Sequence, residues 1–92
     1  MKTIFKYPLH SSIQKRISIN KGAKILCCQI DSKTNVPTLW ALVDTDQPLC
    51  ERLVVIVGTG WVLDEIIVAL PYCGTVQQDG YVWHVFLEPE IA

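Results

Sequence analysis

The chain has little charge and no surplus of either sign. Charged residues make up 18% of its 92 positions, and eight Lys and Arg against nine Asp and Glu leave a net charge of −1. A protein that coats a polyanion needs many phosphate-neutralising cations, so binding to long nucleic acid is not expected. Long apolar runs are also missing. The most hydrophobic segment, Trp61 to Leu70, is broken by Asp64 and Glu65 and falls far short of the roughly 20 residues that cross a bilayer. No membrane span is expected. Nor does Met1-Lys2-Thr3-Ile4-Phe5-Lys6 lead into the apolar stretch of a signal peptide before His10 and Ser11, which points to a cytoplasmic protein.

Metal-ligand spacing is absent as well. Cys27, Cys28, Cys50 and Cys73 do not form paired Cys-x-x-Cys knuckles, and His10 and His84 lie far apart, so no metal and no cofactor are expected. Cys27 and Cys28 are neighbours in a strand-like run and point to opposite faces, which favours free thiols over disulfides. Asp44 with Asp46 and Asp64 with Glu65 lack calcium-loop spacing and read as solvated turn residues.

What the chain does have is apolar residues, half of the total. That is enough for one core spanning 1–92 as a single domain, with more apolar surface than so small a core hides, so a homo-oligomer is expected. The apolar positions follow a strand-like rhythm. Alternation over Thr3–Tyr7 ending at Pro8 predicts a first strand, and Ile17 and Ile19 on one face predict a second over 13–19. Asn20-Lys21-Gly22 turns the chain into 24–30, and the polar Asp31–Asn35 loop joins that run to 37–43 as an antiparallel hairpin. In 37–43, Leu39, Ala41 and Val43 share one face while Trp40 and Leu42 share the other. Both faces are apolar, which means either a central strand covered twice or a strand whose second face meets a partner chain or ligand; in the partner case Trp40 and Leu42 are the expected interface. Residues 52–57 are rich in β-branched side chains, 61–70 read as a short helical turn or irregular crossover, and 73–78 with 81–87 form a hairpin about Asp79-Gly80. The expected fold is mainly β: a small antiparallel sandwich or open barrel of six to seven strands.

Few residues are placed for chemistry. Gly58-Thr59-Gly60 follows a strand without the fuller glycine pattern of a phosphate loop, so it reads first as a strand-ending turn and second as a source of amides for an anion. If a small anionic ligand binds, Gly58, Thr59 and Gly60 are the candidate amide donors, Arg52 the cation, and Trp61 or Trp40 the aromatic plane. Arg52 opens the strand that Gly58 closes, about 20 Å away at the strand rise, so such a site is expected across a dimer interface. His84 stands between Trp83 and Val85 with no carboxylate close in sequence, and reads as a core or interface histidine; Trp83 reads as core.

Five blocks carry a resemblance that runs from end to end: Lys2-Thr3-Ile4-Phe5-Lys6-Tyr7, Lys21-Gly22-Ala23-Lys24-Ile25-Leu26, Leu39-Trp40-Ala41-Leu42-Val43-Asp44, Gly58-Thr59-Gly60 with Tyr72-Cys73-Gly74-Thr75, and Val82-Trp83-His84-Val85-Phe86. Through them the chain resembles a family of small uncharacterised phage and prophage proteins. The stretch 61–70 departs from that family by being more apolar. The resemblance implies a phage accessory protein in the cytoplasm of an infected bacterium, and brings no established activity. The expected function is non-enzymatic binding that counters host defence or redirects a host protein. One alternative is a sponge for a nucleotide second messenger of antiviral defence. Another is a small hydrolase or nucleotide-degrading enzyme using His84 with Asp44 or Asp46.

Overall fold

The alternation of the apolar residues is realised as seven strands and one short helix in a computed structural model that describes residues 1–10 and 13–90. In chain order the elements are β1 (Lys2–Pro8), β2 (Gln14–Asn20), β3 (Lys24–Asp31), β4 (Val36–Asp44), β5 (Leu49–Gly58), α1 (Glu65–Val68), β6 (Tyr72–Gln78) and β7 (Tyr81–Leu87). They form a three-stranded sheet in the order β1-β4-β3 and a four-stranded sheet in the order β2-β5-β7-β6, with every pair antiparallel.

The core lies between the two sheets. β4 contributes Leu39, Ala41 and Val43, β2 contributes Ile17 and Ile19, β5 contributes Val54 and Ile56, and β7 contributes Val85 and Leu87. Each set is spaced by two, so one face of each strand meets the other sheet. Cys28, Val76 and Leu9 complete the packing. The sandwich does not close into a barrel. At the seam, β3 and β6 run side by side without a ladder, each carrying a register shift, at Ile25/Cys27 and at Tyr72/Gly74. A Cβ at Gly74 would stand 3.9 Å from the Cβ of Cys28, so the strands touch there through small groups.

The hairpin about Asp79-Gly80 forms as its sequence demands, with φ of 50° and 87° at the two central residues. Two strand limits differ from the sequence reading. The second strand runs one residue later than expected, leaving Ile13 exposed outside it. The fifth strand starts at Leu49 rather than Arg52, because Leu49, Cys50 and Glu51 pair with Asn20, Ile19 and Ser18 of β2. None of the three is β-branched, and the pairing partner decides their conformation.

Candidate functional site

The glycine turn at the end of β5 is built around an indole. Gly60 takes φ 88°, which lets the chain reverse, and the Trp61 amide donates to the Gly58 carbonyl at 3.2 Å. Trp61 then folds back over Gly58. A Cβ at position 58 would sit 2.7 Å from Trp61 Nε1 and 2.8 Å from Cε2, so any side chain there would have to displace the indole. The far side of Trp61 meets Trp83 edge-on, with ring centroids 5.9 Å apart, and Trp83 stacks on Tyr81 at 5.7 Å. Trp83 Nε1 donates to Gln78 Oε1 at 3.1 Å and the ring packs against the core, the role expected for it.

Trp61 is the shared wall of three hollows. The largest, about 370 Å³, lies over the outer face of the four-stranded sheet and is lined by Val57, Thr59, Leu63, Tyr72, His84 and Phe86 with the glycine turn. A second, about 320 Å³, lies between the turn and Tyr81-Val82-Trp83. The third, about 120 Å³, opens at the end of the sandwich near His10, Pro37 and Ile56. The first two fall in the lower part of the range of small-molecule pockets.

His84 is the polar centre of the largest hollow. Its Nε2 is hydrogen-bonded to Thr59 Oγ1 at 2.7 Å, and its Nδ1 lies 3.1 Å from the Tyr72 hydroxyl and 3.2 Å from Thr75 Oγ1, two hydroxyls that also bond each other. Of the core or interface reading of His84, this corrects the core half. With Trp83, Val85 and Leu87 pointing inward, strand parity turns His84 and Phe86 to the outer face. Sequence reasoning missed Tyr72 and Thr75, because only the β6–β7 register, which sets Thr75 opposite His84, brings them together.

The crossover after Trp61 covers part of this face and exposes the rest of itself. Asp64 caps α1, its Oδ1 accepting from the Ile67 amide at 3.0 Å. Read from the sequence as a solvated turn residue, Asp64 is the N-cap of this turn of helix. Val62 is 100% exposed, Ile66 77% and Trp61 47%, and Val68 is exposed as well.

The remaining candidates lie elsewhere. Arg52 donates through Nε to the Glu88 carbonyl at 2.9 Å and lines a separate groove with Cys27, Tyr72 and Cys73, so it does not join the glycine turn within one chain. Among the described residues, no Lys or Arg lines any of the three hollows that Trp61 borders. Trp40 and Leu42 lie on the outer face of the three-stranded sheet, opposite Lys6 and Ile4 of β1, with Leu42 exposed and Trp40 half-buried. Burial pushes the Cys28 thiol up to about 12 and raises that of Cys73 also, which suppresses the thiolate a nucleophile needs. Asp44 and Asp46 accept from the Met1 amine at 3.2 and 2.7 Å. Among the described residues, no carboxylate bonds His84, and the hydrolase set of His84 with Asp44 or Asp46 is not assembled.

The model of one protein family, described as a domain of unknown function (DUF7352), matches residues 1–92. No curated protein and no solved structure matches the chain.

Proposed function

Since the chain belongs along its whole length to the DUF7352 family of unknown function, we propose a function from its surface chemistry: it is a non-enzymatic binding protein whose partner is another protein. The observation that carries this is the crossover, where Val62 and Ile66 stand almost wholly in water beside Trp61 although the core between the sheets is complete without them. Exposed apolar groups clustered in this way are the usual mark of a docking surface. Asp64 and Glu65 rim the cluster, so the complementary partner presents an apolar groove edged with cations. The resemblance to phage proteins supports a bacterial host protein as that partner, bound in the cytoplasm of an infected cell to counter host defence or redirect its machinery.

The nucleotide-sponge reading draws on the aromatic and hydroxyl lining of the 370 Å³ hollow. It is the weaker of the two, because the only candidate cation, Arg52, is absent from that lining while two carboxylates stand on the crossover. The test compares the parent with a Val62→Asp/Ile66→Asp variant, both immobilised in lysate of phage-infected bacteria. A protein retained in stoichiometric amount by the parent and lost by the equally stable variant is the expected result. Equal retention by both removes the crossover from the interface. Micromolar binding of a cyclic dinucleotide or an ADP-ribose derivative in calorimetry, with no protein retained, would transfer support to the sponge.

A further inference from the structure

β1 is an outermost strand whose free edge has a definite chemistry. The bonds from the Thr45 amide to the Met1 carbonyl and from the Leu9 amide to the Pro37 carbonyl bracket the β1–β4 ladder. With that register, the odd residues of β1 bond to β4, and the N–H and C=O groups of Lys2, Ile4 and Lys6 and the C=O of Pro8 point outward. No strand among the described residues pairs with that edge. The strand is also apolar on both sides. Ile4 is exposed on the outer face of the sheet, while Phe5, on the core side, is still 45% exposed.

We propose that β1 pairs antiparallel with β1 of a second copy of this chain, with Phe5 of the two copies facing each other across a two-fold axis. Three registers put outward groups opposite outward groups near the strand centre, and centring on Lys6 sets its ammonium directly against the Lys6 of the other copy. Centring on Ile4 sets Lys2 directly against Lys6 of the other copy, twice, and like charges so placed repel. Centring on Phe5 sets Ile4 against Lys6 and Lys2 against Pro8. In that register no cation faces another. Four inter-chain hydrogen bonds form between Ile4 and Lys6 of the two copies, two more run from the Lys2 amides to Pro8 carbonyls that each also accept from Lys15 Nζ at 3.1 Å, and the phenyl rings meet in the closely spaced, non-hydrogen-bonded position. Lys6 can lie there because Asp31 already holds its ammonium at 2.9 Å. A second copy is selected as the occupant because in this isologous register Ile4 meets Lys6 and Lys6 meets Ile4, no cation faces another, and the exposed Phe5 of each copy is covered by the other. The two three-stranded sheets become one of six strands. The outer faces, with Ile4, Trp40 and Leu42, then lie side by side on one surface of the dimer. A single strand pair is a small interface, so association is in the micromolar range.

The experiment combines light scattering with cross-linking. The parent protein should gain mass with concentration, approaching a dimer at a few hundred micromolar. Ile4→Pro removes an amide that points away from β4, so it should leave the circular dichroism spectrum intact and abolish the mass increase. Phe5→Cys should give a disulfide-linked dimer in a glutathione redox buffer, bridged through position 5 by peptide mass mapping, whereas Ile4→Cys should not, since its copies are about 8 Å apart in this register. A parent that stays monomeric and a Phe5→Cys chain that does not cross-link would together overturn the proposal. Cross-linking of Ile4→Cys instead would overturn the register. Dissociation by Trp40→Glu, with Ile4→Pro still dimeric, would show that the copies meet through Trp40 and Leu42 and would overturn the edge pairing.

Discussion

Adding one methyl group at Gly58 tests how the glycine turn is held. Gly58 closes β5 and is not among the positive-φ glycines, so alanine fits its backbone. In an otherwise empty environment, Gly58→Ala would stabilise the fold by about 0.4–1 kcal/mol through the unfolded state. The environment is not empty. The new Cβ would lie 2.7 Å from Trp61 Nε1, about an ångström inside contact distance, so the indole must move outward. About half of the Trp61 surface is hidden, since 47% is exposed. At about 25 cal/mol per Å² over roughly 120 Å², full release would cost up to about 3 kcal/mol, and partial release with loss of the Trp83 edge contact about 1–2. After the backbone gain, Gly58→Ala should destabilise by about 1 kcal/mol, or about 4–8 °C in Tm for a domain of this size. The decisive measurement is the same substitution in a Trp61→Ala background, followed by far-ultraviolet circular dichroism. With the indole gone the sign should reverse, and Gly58→Ala should raise Tm by a few degrees. Equal destabilisation in both backgrounds would show that Trp61 is not what excludes a side chain at position 58.

Two further outcomes follow from the geometry. His84 lies on the outer face with its bonds to Thr59, Tyr72 and Thr75, so His84→Gln should remain folded and lose no more than about 1 kcal/mol; an unfolded variant in circular dichroism would return His84 to the core. The ion pair with Lys6, helped by the Lys33 amide, holds the Asp31 carboxyl below its ordinary range. A depressed carboxyl contributes stability that is present above about pH 4 and is lost as pH falls through its folded value. Asp31→Asn should therefore flatten part of the fall in Tm on acidification below pH 4, and parallel curves for parent and variant would refute the assignment.

The two-faced pattern of residues 39 to 43 was legible because strand parity is local: Leu39, Ala41 and Val43 are buried, while Trp40 and Leu42 lie on the outer face. The same parity was available for His84 and places it on the outer face, with Val85 and Leu87 inward. The start of β5 was not legible. Leu49 to Glu51 carry no strand preference, and their conformation comes from β2 alongside them. Gly58, Thr59, Gly60 and Trp61 line one hollow because they follow one another in the chain. Arg52 lines a separate groove, in keeping with the separation along one extended strand that the sequence already implied.

By itself, then, the sequence determined the elements and their inward faces, because a period of two and a turn such as Asp79-Gly80 are properties of neighbouring residues. Only the tertiary structure decided which strands share a sheet, and with that everything that needs two distant segments at once. The seam without a ladder between β3 and β6, the hydroxyls gathered around His84 from β6 and the glycine turn, and the free edge of β1 all depend on pairing register and sheet order. Those are set by how two sheets bury a common core, a choice that no single segment encodes.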